Sequence, residues 1–321
     1  MSQKSLSVTI MLFCVVTRRT TSSAFTMCSG NSIRQMTFRT SSTFLDTIQR
    51  DITKELNKHP SDQPLLALPP ETRQSLSVAR SVQWRIDAID RNKDCRRCWL
   101  QQAHCICSQC PPLQPLPLIN RIFFILHHKE VGLLVDTAKL VLAAYPDQCR
   151  LVVGGLEDQD ALREMQQSMK RRKCLVLFPT DDAKTFQELS QVTEANIDED
   201  DGDWDIIVLD GTWREARRLH SRYIPLKKDG GPTRVQLSDS AIAMLSSVSP
   251  TGDKMNAGHQ LRRHPTFWRQ VSTLEATRLL LDDMLGNDKT VNDVKSWNML
   301  RNYQQIGDLA TTTQLGPPRV G

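Results

Sequence analysis

Four short apolar runs, each followed by a stretch with helical spacing, organise the middle of this chain. Arg121-Ile122-Phe123-Phe124-Ile125-Leu126 reads as a buried strand, with an apolar helix over 133–145 behind it, ended by Pro146. A second strand over 149–153 is stopped by Gly154-Gly155 and precedes a polar helix at 157–171. A third, 173–178, is broken by Pro179 and leads to a helix near 181–192. The fourth, 205–209, contains four consecutive aliphatics at 206–209 and runs into a helix over 214–223. Continuous apolar runs suit strands covered on both faces. The alternation predicts an α/β fold, a mostly parallel sheet with flanking helices and right-handed crossovers.

The flanks read differently. Helices are expected over 45–57 and near 71–90, separated by a Pro-rich break around Pro60–Pro70. A cysteine-rich irregular segment follows, closed by Pro111-Pro112, Pro115 and Pro117. Past the fourth strand come a short strand at 233–237, a loop at 252–258 and an apolar amphipathic helix over 272–285. That helix opens on Ser272-Thr273-Leu274-Glu275, which has the capping-box pattern. The last thirty residues read as a helix and a loose tail. The expected organisation is a leader over 1–45, a helical extension over 46–93, a catalytic domain over 94–290 whose 94–112 segment is cysteine-rich, and a C-terminal helix and tail over 291–321.

Charge sharpens the leader. The formal +5 of the 321-residue chain is carried entirely by Lys4, Arg18, Arg19, Arg34 and Arg39, since residues 1–45 contain no Asp or Glu. The rest of the chain is neutral overall, so net charge gives no argument for nucleic-acid binding, and only local patches supply one. The apolar stretch at 8–16 is too short to span a bilayer and resembles a signal-peptide core. Ser22-Ser23-Ala24-Phe25 offers a small-residue cleavage site, and the Ser/Thr/Arg-rich sequence beyond it resembles a transit peptide. The leader is similar to a bipartite plastid presequence, with a mitochondrial presequence or a plain tail as alternatives. An organellar destination is the expectation, cytoplasmic otherwise. No later segment is apolar and long enough for a membrane span, so no membrane partner is expected.

Five of nine cysteines fall within sixteen residues, Cys95, Cys98, Cys105, Cys107 and Cys110. The spacing C-x2-C-x6-C-x-C of the first four places two thiol pairs on short loops, which suits a tetrahedral zinc ion closed by four thiolates and therefore structural. An iron–sulfur cluster would use the same ligands, and free buried thiols are the plain alternative. Thiols held in this way point to a reducing compartment.

In a parallel sheet, ligands bind where the strands end. Asp210-Gly211-Thr212-Trp213 sits there, after the fourth strand and before a helix bearing Arg214, Arg217 and Arg218. His127-His128-Lys129-Glu130 ends the first strand and Phe178-Pro179-Thr180 the third. With Arg222, Lys227, Lys228, Arg262 and Arg263, the basic residues could form a surface for RNA, or simply solvated helix faces. The acidic run at 194–203 reads as a solvated insertion without function.

Taken in order, the cysteine cluster, His127-x-x-Glu130, Phe178-Pro179, Asp210-Gly211-Thr212-Trp213, Arg262 and Ser272-Thr273-Leu274-Glu275-Ala276 resemble the DTW-domain family of tRNA-uridine aminocarboxypropyltransferases, over about 94–286. The resemblance implies a fold related to the knotted SPOUT methyltransferases. It implies transfer of the 3-amino-3-carboxypropyl group of S-adenosylmethionine to the ring imide nitrogen of a tRNA uridine, releasing 5′-methylthioadenosine. It implies Asp210 as general base, with Thr212 and Trp213 completing the catalytic set. Phe178, Pro179, Thr212, Ser272, Thr273 and Glu275 would surround the cofactor, and His127, Arg214, Arg217, Arg218, Arg262 and Arg263 would meet RNA. The chain departs from the family pattern at His128, where proline is usual, and at His259, where tyrosine is usual. An aminocarboxypropyl transferase for ribosomal RNA, an RNA methyltransferase using the same cofactor, and a non-catalytic zinc-stabilised RNA-binding protein are the competing readings. Oligomeric state, monomer or homodimer, stays open.

Overall fold

The computed structural model describes residues 43–59, 65–193, 202–246, 271–286 and 296–316. Five strands form one parallel sheet: β1 (Ile119–His127), β2 (Cys149–Gly154), β3 (Cys174–Leu177), β4 (Trp204–Asp210) and β5 (Thr233–Val235), in the order β2-β1-β4-β3-β5. The α/β architecture expected from the apolar runs is therefore present. The register pairs Leu126 of β1 with both Val153 of β2 and Asp210 of β4, so these strands end side by side.

Helices cover both faces. One face packs Phe123, Ile125, Val152, Val176, Ile207 and Leu209 against α4 (Asp160–Ser168) and α6 (Trp213–Tyr223). The other packs Ile122, Phe124, Leu151, Leu175 and Val208 against the remaining helices. These include α1 (Phe44–Asn57), α2 (Pro70–Arg91), α3 (Ala138–Ala144), α8 (Thr273–Leu285) and α9 (Met299–Leu315). Strands sealed on both sides explain why their sequences are continuous apolar runs. Two further α-helices are α5 (Phe186–Thr193) and α7 (Asp239–Ser246); α7 had no counterpart among the elements expected from the sequence.

Three helices start later than their apolar spacing suggests. α3 opens at Ala138 rather than 133, because the chain first makes tight turns at Leu133 and Asp136, and the Asp136 carboxylate then accepts from Ala138 N–H at 2.7 Å. α4 opens at Asp160 rather than 157. The buried Gln159 side chain is engaged with the backbone of Val153 and Leu156, which fixes an extended entry. α5 starts at Phe186, after a turn at Ala183 and a backbone bridge from Lys184 to Arg234. In the first helix Thr43 makes a capping box with Asp46, so the helix opens at Phe44, and Leu45 is buried. No described helix is long and apolar enough to cross a membrane.

Candidate functional site at the carboxyl edge of the sheet

Parallel strands deliver their carboxyl ends to one edge, and four of them end together there. β4 ends on Asp210, β1 on His127, β2 on Gly154, and Phe178 directly follows β3. Gly211 lets β4 stop close to its neighbours. Its φ is +149°, and a Cβ at this position would lie 3.2 Å from that of Glu215 and 3.3 Å from that of His127.

Asp210 is 1% exposed. Its Oδ1 accepts a hydrogen bond from the Thr273 hydroxyl at the start of α8, so the buried carboxylate tethers that helix to the sheet. Ser272 caps α8 by accepting from Glu275 N–H at 3.2 Å. The Glu275 carboxylate turns to Arg278, 2.9 Å away, instead of closing the capping box. The first turn of α8 also meets the loop before α3, where Leu274 N–H donates to the Thr137 hydroxyl at 3.4 Å. Beside Thr137 lies Asp136, a buried carboxyl that the sequence reading passed over. Burial first, and then the nearby Asp210 charge, push its pKa well above the usual carboxylate range, against the pull of Lys139. The only sequence signal for this pair was an Asp-Thr immediately before a largely apolar helix, which reads as ordinary capping.

Thr212 is the N-cap of α6. It accepts from Glu215 N–H, and its hydroxyl donates to Glu215 Oε2 at 2.7 Å in a full capping box. Bonds from Thr212 outweigh burial and hold the Glu215 carboxyl below its usual range. Glu215 in turn lies 3.3 Å from His127 Nδ1. Burial lowers the His127 pKa more than Glu215 raises it, which favours the neutral ring. His128, its ring tilted against that of His127 at 4.4 Å, is pushed down to about 4, by burial and then by His127. Trp213 stacks on Phe178 at 5.3 Å, and Phe178 meets His220 on α6 at 4.6 Å. Phe178 is buried, and Trp213 and Pro179 are both half-buried. Arg214, Arg217, Arg218 and Arg222 are exposed along α6. The structure thus gathers Asp210, Thr212, Trp213, Phe178, His127, Ser272, Thr273 and Glu275 at one edge. Arg262, Arg263, His259 and the 252–258 loop lie outside the described residues, as does most of the acidic run.

Away from this edge, the Sγ atoms of Cys95, Cys98, Cys105 and Cys107 all lie within 4.8 Å of one another. The Cys95–Cys107 pair is 3.5 Å apart and the Cys98–Cys105 pair 3.8 Å. A zinc ion bonded to four thiolates at about 2.3 Å sets its sulfurs about 3.8 Å apart, so this donor set can hold a single metal ion. Cys110 is buried close by but is not one of the four. α9 lies over the segment, with Tyr303 Oη donating to Pro111 O at 2.6 Å and Gln314 Oε1 accepting from Gln101 N–H at 3.0 Å.

The model of the DTW domain matches residues 92–308. The chain matches no curated protein and no solved structure at a significant level.

Proposed function

The chain belongs to the DTW-domain family, and from that premise we propose that it transfers the 3-amino-3-carboxypropyl group of S-adenosylmethionine to the ring imide nitrogen of a uridine in tRNA. The observation that carries this reading is the meeting of Asp210, Trp213, Phe178 and the Ser272-Thr273 start of α8 at the carboxyl edge of a parallel sheet, inside the matched region. In the reaction the uracil N3–H proton leaves, a bond forms from N3 to the γ-carbon of the amino-acid arm, and the bond from that carbon to sulfur breaks. The electron pair of the broken bond stays on sulfur, which leaves as 5′-methylthioadenosine.

The residues suit the parts of such a step. Trp213 has one face against Phe178, which fixes the indole and leaves it suited to stack on a flat ring. The N-terminal end of α8 favours a carboxylate such as that of the amino-acid arm. Asp210 is our candidate for the base. Because it is buried and bonded to Thr273, that role requires substrate binding to open the Thr273 contact. We read the four-cysteine site as structural zinc, a cross-link that holds the segment between α2 and β1 and takes no part in the transfer. Four sulfurs this close suit one ion rather than several irons. We further propose that residues 1–45 direct the protein to an organelle.

The test is to incubate the purified protein with S-adenosylmethionine and unmodified tRNA, digest the RNA and weigh its nucleosides. Aminocarboxypropyl-uridine is the expected product; methylated uridine alone, or activity on ribosomal RNA alone, overturns the reading. Metal analysis of protein purified under reducing conditions should give one zinc per chain, and metal-free folded protein refutes the zinc assignment.

A further inference from the structure

We propose that α2, which precedes the DTW-matched region, forms part of the tRNA-binding face, holding RNA phosphates with Arg80 and Arg91 and stacking an unpaired base on Trp84. The inference rests on tRNA being the substrate and adds a surface outside residues 92–308.

The exposed side of α2 carries Arg80, Trp84 and Arg91, spaced four and seven residues apart and hence on one stripe. The stripe is about 16 Å long. Trp84 is 64% exposed at its centre, a large apolar ring left bare on a helix whose opposite side is buried. Arginines on a helix are usually solvated and paired. Among the described residues, Arg80, Arg85 and Arg91 form no salt bridge with any acidic group. The neighbouring acids are already engaged, Asp90 by Arg96 and Asp87 by the Gln83 amide.

Position ties the stripe to the candidate site. Val78 packs against Gly155 after β2, and Ile89 against Gly132 in the loop after β1, so α2 flanks the carboxyl edge. On the opposite sheet face, α6 flanks the same edge, its Tyr223 hydroxyl accepting from Gly155 N–H at 2.6 Å. Arg85 from α2 and Arg218 from α6 both act on His127 between them. Positive charge therefore straddles the strand ends from both sides. Basic groups interleaved with an exposed aromatic ring suit single-stranded or looped RNA, where phosphates and unstacked bases are both available.

The experiment measures binding of an in-vitro transcribed, unmodified tRNA to the full chain over a range of salt, with S-adenosylmethionine binding followed separately by thermal shift. Arg80→Glu with Arg91→Glu should weaken tRNA binding at least tenfold and flatten the log–log salt dependence by about two units. Trp84→Ala should weaken it roughly tenfold, the loss of one stacked base. Arg80→Lys with Arg91→Lys should keep most of the affinity, and the cofactor-induced shift should stay unchanged throughout. Wild-type binding that the charge reversals and Trp84→Ala leave intact overturns the α2 surface while sparing tRNA as substrate. Wild-type protein that does not bind tRNA overturns both.

Discussion

β4 carries a buried aspartate near each end, and the two are treated in opposite ways. Asp205, at the amino end, is fully buried but richly compensated. It accepts from Asn120 at 2.8 Å, Ser168 at 2.7 Å, Arg171 at 2.5 Å and Arg121 at 3.3 Å. Burial alone would raise its pKa, but the Arg121, Ser168 and Arg171 bonds outweigh it and hold the carboxyl below its usual range. Asp210, five residues on, accepts among the described residues from the Thr273 hydroxyl and has a second buried carboxyl, Asp136, as a neighbour. A charge surrounded by cations serves stability. A carboxylate set beside another carboxyl at a ligand-binding edge costs stability, and such arrangements cluster where chemistry is done. The amino edge of this sheet is built to hold and the carboxyl edge to work.

The largest effect expected from that contrast is on folding. Asp205→Ala removes the shared carboxylate of Arg121 and Arg171 and should cost about 3–5 kcal/mol in urea unfolding. The pH dependence has a definite sign. The Asp205 carboxyl is lowered on folding, so its contribution is present above the unfolded carboxylate pKa of about 3.9 and fades as pH falls through the lower folded value. The variant should therefore lose part of the wild-type acid transition. A cost under about 1 kcal/mol would erase the difference between the two ends of the strand.

The next effect is on turnover with the fold intact. Asp210→Asn keeps an acceptor for Thr273 and should change stability by no more than about 1 kcal/mol. It should still bind S-adenosylmethionine, and kcat should fall roughly a hundredfold or more, the usual worth of a general base. Undiminished turnover excludes Asp210 as the base. Thr273→Val separates the tether from the proton transfer, because it removes the hydroxyl donor and leaves the carboxylate. A smaller loss in that variant than in Asp210→Asn assigns the difference to the carboxylate itself.

These two aspartates also mark what the sequence makes legible. Both sit in one apolar run, and the run was readable as a strand because helices cover both faces of the sheet. Asp210 stood out because Gly211, Thr212 and Trp213 follow it at a strand end. Thr212 proved to be the cap of α6, bonded to Glu215, which a Thr-x-x-Glu pattern encodes as plainly as any cofactor role. Asp205 drew no notice, since its partners Asn120, Arg121, Ser168 and Arg171 lie 34 to 85 residues away and meet it only in the folded sheet. Asp136 was hidden for the same reason, with the added masking of a helix expected to begin at 133. The four cysteines were legible because their spacing is local. The role of α2 was not, because an exposed Trp84 is indistinguishable from a core tryptophan until the helix is docked.

The smallest effect, and the finest test of the contrast, belongs to Asp136. Its pKa is raised on folding, by burial first and then by Asp210, so the folded state binds a proton that the unfolded chain releases above about pH 3.9. The protein therefore loses stability at this position as pH rises from the unfolded value toward the raised folded value, the reverse of Asp205. Asn has the shape of the protonated acid and keeps an acceptor for Ala138 N–H at the start of α3. Asp136→Asn should thus leave the fold at pH 5 within about 1 kcal/mol of wild type, and make it equally or more stable at pH 8. A variant clearly less stable than wild type at pH 8 would show that Asp136 is ionised in the folded protein, and the carboxyl edge would then be compensated as fully as the amino edge.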